Sequence, residues 1–154
     1  MKMQLIKKLF VLISLLAFQH SVLESVLAQG VSPIASSEHV EAQLVAETEH
    51  AVPGESLWLA LRLDHMENWH TYWMNPGDAG KPTEITWQLP EGLEAGEIVW
   101  PVPERFELPA DLVDFGYTEE IFLLTEVSIP ANYSATSLQI SAEAQWLECE
   151  DICI

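Results

Sequence analysis

The chain has 154 residues, six of them Lys or Arg against 24 Asp or Glu, for a formal charge of −18. That acidity argues against nucleic acid and anionic membrane as partners, because their phosphates would be repelled. Two cysteines are present, and the length suits one domain around one core.

The chain opens with a tripartite export signal. Lys2, Lys7 and Lys8 precede the apolar run Leu9–Phe18, and Val26-Leu27-Ala28 offers small residues to a signal peptidase. The run is too short for a bilayer core of about 30 Å, which needs roughly 20 apolar residues. No later stretch reaches that length, and no cysteine follows the cleavage site to accept a lipid. Residues 1–28 are therefore expected to be a removed signal peptide. Their loss takes three lysines and Glu24 with it and leaves a charge of −20.

Residues 29–37 are small, polar and broken by Pro33, and read as a flexible leader. Val40, Ala42, Leu44 and Ala46 then alternate with polar residues, the period of a half-buried strand over about 40–48. Pro53-Gly54 makes a turn. Leu57, Leu59, Leu61 and Leu63 alternate with Trp58, Ala60, Arg62 and Asp64 in a strand over 56–65 with one buried face. Further strands are expected over 83–89, 97–100, 119–129 and 137–147, separated by Pro/Gly turns. Short strands at this spacing, with no helical stripe, predict an all-β sandwich of two antiparallel sheets.

Two clusters could carry chemistry. In the first, Cys149 and Cys153 are separated by three residues. A flat strand would hold their Cα atoms near 13 Å apart, at about 3.3 Å per residue. A disulfide needs roughly 4.4–6.8 Å, so the bond requires a tight turn. Export favours oxidation. A structural disulfide and an exchanging pair both fit this spacing. Glu148, Glu150 and Asp151 flank the sulfurs and disfavour a thiolate, which suits a selective shuttle better than an indiscriminate oxidant.

The second cluster is Asp64 to Asp78, with His65, Met66, His70 and Met74 among Trp69, Tyr72 and Trp73. Imidazole and thioether donors suit copper, which makes a copper-binding or copper-resistance domain one alternative. In the other reading, the histidines edge an aromatic strand and the methionines fill core gaps. The aromatic group also fits a packing or recognition surface. A non-catalytic β-sandwich with an inert disulfide is the third alternative. No phosphate loop, nucleophile-elbow glycines or paired-carboxylate spacing is present, and no cofactor is expected.

Trp69-His70-Thr71-Tyr72-Trp73 followed by Asn75-Pro76-Gly77-Asp78-Ala79-Gly80 resembles one family's signature. So do Trp100-Pro101 with Pro103, Phe115-Gly116-Tyr117 and the terminal Trp146-Leu147-x-Cys149-x-x-x-Cys153. Together they are similar to the amino-terminal periplasmic domain of the DsbD/ScsB-type thiol:disulfide interchange proteins, over about residues 38–154. The resemblance implies an immunoglobulin-like sandwich in the periplasm with Cys149 and Cys153 as its redox pair. It implies that Cys153 attacks the incoming disulfide and Cys149 resolves the mixed disulfide. It places Phe115 and Tyr117 in a cap that shields the sulfurs, and Trp69, His70, Tyr72 and Trp73 near the site. The implied partners are a membrane-embedded electron-donor domain and periplasmic thioredoxin-fold proteins, among them a disulfide isomerase and a cytochrome c maturation thioredoxin. Two departures stand out. The cysteines are closer in sequence than in the best-known members, and the chain ends one residue after Cys153, so a domain cut short at its C-terminal end is expected.

Overall fold

The computed structural model describes residues 30–150 and 152–154. The expected signal peptide, residues 1–28, lies outside them.

Among the described residues ten strands follow in chain order: β1 (Ala35–Ser36), β2 (Val40–Ala46), β3 (Ser56–His65), β4 (Thr71–Gly77), β5 (Glu84–Gln88), β6 (Glu94–Val99), β7 (Glu104–Glu107), β8 (Val113–Tyr117), β9 (Glu120–Ser128) and β10 (Ser141–Gln145). One layer is a five-stranded sheet in the order β1-β2-β3-β9-β6. The facing layer is made of β4-β8-β7 and the pair β10-β5. Every strand pairing is antiparallel. The result is the expected all-β, immunoglobulin-like sandwich.

The period-two pattern explains the central sheet. β3 pairs Leu61 with Leu44 on one side and with Leu123 on the other, so the apolar sets of three strands share one face. Leu57, Leu59, Leu61 and Leu63 are all buried there. The core forms two groups along the sandwich. Val40, Ala42, Leu61, Leu63, Leu123 and Tyr117 gather with Trp73, Ile85 and Trp146 at one end. Leu57, Leu59, Leu93, Val127 and Ile129 gather with Trp87, Leu138 and Ile140 at the other.

The structure departs from the sequence reading in two places. Residues 30–36, expected as a leader, run along the edge of β2. The amide of Ala46 donates to the Gly30 carbonyl at 2.6 Å and that of Ser32 to the Leu44 carbonyl at 2.8 Å. An edge strand tolerates Pro33 because it leaves one side of its backbone unpaired. Strands β7 and β8 were not expected, and β4 was anticipated only as the aromatic strand of one alternative. In β4 and β8 adjacent residues are buried on both faces, Thr71 with Tyr72 and Gly116 with Tyr117, so no alternation marks them.

Candidate active site

The chain's last residues fold back as a tight hairpin. Glu148 and Ile154 exchange both backbone hydrogen bonds, at 3.1 and 2.9 Å. That brings the Cα atoms of Cys149 and Cys153 to 4.1 Å, and the two sulfurs are bonded. The turn that the spacing demanded is therefore present. Cys149 also exchanges both backbone hydrogen bonds with His70, at 3.0 and 3.1 Å, which adds the hairpin to the edge of the β4-β8-β7 sheet. The two cysteines differ sharply: Cys149 is 1% exposed, while Cys153 is exposed, with Ile152 and Ile154 open to solvent beside it.

Strand alternation decides what surrounds the sulfurs. His70, the residue before β4, and Tyr72 on β4 lie two apart, and Tyr72 sits opposite Gly116 of β8. Phe106 of β7 sits opposite Asp114 of β8. These residues share the cysteine face. The Tyr72 hydroxyl is 3.6 Å from Cys153 Sγ and 3.3 Å from His70 Nε2. A disulfide sulfur has no proton, so the hydroxyl donates to it, and His70 Nε2 donates to the hydroxyl oxygen. The Phe106 ring packs 4.7 Å from the His70 ring.

Glycines make this packing possible. A side chain at Gly80 would overlap the Tyr72 ring, and one at Gly116 would meet the Thr71 carbonyl. Gly77 has φ of +101° and lies against the backbone of β8. The buried Asp114 fastens the same corner, its Oδ1 accepting from the amides of Asp78 and Ala79 at 2.9 and 3.0 Å. The Asn75–Gly80 motif is thus the clasp that closes β4 over β8.

Burial sets the protonation of this face. It pushes the Tyr72 hydroxyl up to about 12, with the Asp114 carboxylate adding to the rise, so the phenol stays a donor. Burial lowers His70, partly offset by Asp114. Burial also lowers His65.

The remaining expected residues fall as follows. His65 donates through Nδ1 to the Glu119 carbonyl at 2.5 Å, and its Nε2 accepts from the Thr71 hydroxyl at 2.9 Å. Both ring nitrogens are therefore occupied. Met66 and Met74 are exposed. Among the described residues, no three of the His, Cys, Asp and Glu side chains gather as metal ligands. Trp69 lies flat on His39, ring centroids 3.4 Å apart, and Trp73 packs edge-on to Phe115 at 6.2 Å. Tyr117 is in the core and donates to the Pro101 carbonyl at 2.8 Å. Phe115 and Tyr117 belong to strand β8, on its face turned away from His70. Phe106 is the ring that β7 brings to the cysteine face.

The sequence reading missed Phe106, Ser37 and His39; it took Asp114 only for a neighbour of Phe115 in the expected cap, and Glu148 only for a flanking charge. Strand alternation from Cys149 would have sent Glu148 to the opposite, inward face. Nothing in the local sequence marks Ser37, His39 or Phe106.

The family model for the amino-terminal domain of the thiol:disulfide interchange protein DsbD matches residues 41–154. Among solved structures, the fold is similar to the N-terminal periplasmic domain of ScsB from Proteus mirabilis, with a TM-score of 0.62 and 20% identity. That match covers 82% of this chain and 48% of the solved one, so this chain spans about half of its length. No curated protein matches the sequence. Among the described residues, no helix is long and apolar enough to cross a membrane.

Proposed function

The chain belongs to the family of DsbD amino-terminal domains, and from that premise we propose that it is a periplasmic thiol-disulfide exchange module. It would take reducing equivalents from a membrane-embedded donor domain and pass them to periplasmic thioredoxin-fold proteins. A disulfide isomerase and a cytochrome c maturation thioredoxin are the acceptor classes that fit this chemistry. The reading needs no cofactor, because the cysteine pair itself holds the two electrons.

One observation carries the assignment of roles: Cys153 is exposed and Cys149 is buried behind it. Thiol-disulfide exchange needs a sulfur that can reach the incoming disulfide and a second that waits out of reach. Cys153 fits the attacking role and Cys149 the resolving one. Tyr72 would donate its hydrogen bond to the Cys153 sulfur, with His70 holding the hydroxyl. Shielding from stray oxidants would come from Phe106, which packs against His70 on the cysteine face; Phe115 and Tyr117 lie on the other face of β8.

Trapping tests the roles. Cys149→Ser should accumulate a covalent complex with a periplasmic thioredoxin-fold protein, at least about tenfold more than Cys153→Ser does. Equal trapping by the two variants would overturn the role assignment. No trapping by either would favour an inert disulfide.

A further inference from the structure

Glu148 immediately precedes Cys149, so its side chain leaves the hairpin on the face opposite the sulfurs. It is 4% exposed. A carboxylate has been taken out of water at a position where an apolar side chain would cost less. Its contacts are specific. Ser37 Oγ donates to Oε2 at 2.7 Å, and His39 Nδ1 lies 3.6 Å from Oε1. The His39 ring is itself held flat against Trp69, which neighbours His70. The backbone of Glu148 meanwhile closes the hairpin against Ile154. One residue thus ties the disulfide hairpin to the segment between β1 and β2.

We propose that Glu148 is a positioning residue for the second half of the exchange, keeping Cys149 beside Cys153 once the bond between them has opened. This rests on the reading of Cys153 as the attacking sulfur. In the first step the Cys153 thiolate attacks one sulfur of a partner disulfide, and the partner's other sulfur leaves as a thiolate. In the second step Cys149, as a thiolate, attacks Cys153 Sγ. The Cys149–Cys153 bond re-forms, and the partner's remaining sulfur departs with its electron pair. The domain loses two electrons and the partner gains two. Between the steps no covalent bond joins Cys149 to Cys153. The strand pairing with His70 fixes the backbone on one side, and the Glu148 carboxylate fixes it on the other.

The test uses the reduced chain and two readouts. The first is the alkylation rate of each thiol by iodoacetamide, resolved by peptide mass. The second is the release of glutathione from a mixed disulfide preformed on Cys153. Glu148→Ala and Ser37→Ala should each speed Cys149 alkylation relative to Cys153 by about tenfold, the weight of one hydrogen bond to a charged group. They should slow glutathione release to a similar degree. Glu148→Gln keeps an oxygen that accepts from Ser37 and should stay within about twofold of wild type on both readouts. Unchanged protection and release in a folded Glu148→Ala chain would overturn the proposal. So would a Glu148→Gln chain as loose as the alanine variant. If Glu148→Ala fails to fold, Ser37→Ala decides, since Ser37 is exposed and outside every strand. Glutathione needs no protein partner, so a failure to trap any periplasmic protein would sink the exchange function and leave this result readable.

Discussion

Single residues on the cysteine face are placed with little slack. The Tyr72 ring reaches Cys153 because nothing but hydrogen stands on the Cα of Gly80. Gly80→Ala should push that ring aside and destabilise the domain by about 1–3 kcal/mol, the usual cost of overpacking. A thermal melt checks this; an unchanged midpoint would show that the ring has room to move. His65 offers a second prediction, through pH. Burial lowers its pKa, so the unfolded chain binds a proton that the folded chain refuses. Its contribution is complete above the ordinary value of 6.5 and is lost as pH falls below it. The buried His70 shifts in the same sense. His65→Asn should therefore flatten the fall in melting temperature between about pH 7 and pH 5. An identical slope in wild type and variant would remove His65 from this account.

At the scale of elements, legibility followed solvent exposure. β3 was expected over 56–65 and spans Ser56–His65, and β9 was expected over 119–129 and spans Glu120–Ser128. Each has one face in the core and an opposite face that, apart from Ala60 of β3, is half-buried or exposed, and alternation reports that condition directly. β4 and β8 have covers on both sides, so their sequence shows aromatics and glycines in place of a period. The site lies on those strands. Its cysteines were legible by type and spacing, while its neighbours were set by pairings between distant segments. The difference between faces can be measured. Leu123, fully buried on β9, should cost about 3 kcal/mol on truncation to alanine. Val102, 93% exposed beyond β6, should stay within about 0.5 kcal/mol. Urea titrations of the two variants, compared at equal m-value, settle the contrast; similar midpoints would refute the assigned core face.

Over the whole molecule, charge is the governing quantity. Each of the three basic side chains after the expected signal is already bound within the domain. Arg62 meets Asp64 and Glu120, Lys81 meets Glu84, and Arg105 meets Glu107. The remaining carboxylates repel one another across the surface, and salt screens that repulsion over about 10 Å at 0.1 M. Raising sodium chloride from about 0.01 M to about 0.5 M should lift the melting temperature by about 5 °C. A flat or falling midpoint would mean that the internal ion pairs outweigh the repulsion. The hairpin's attachment also has a mechanical side. In the proposed exchange a protein joined to Cys153 would pull on the outer arm, which is held at Ile154 by its pairing with Glu148. The inner arm is anchored separately, through the bonds of Cys149 to His70. If Cys153 is the attacking sulfur as proposed, load applied through a mixed disulfide falls on the outer arm, while the bonds of Cys149 to His70 hold the other sulfur in place.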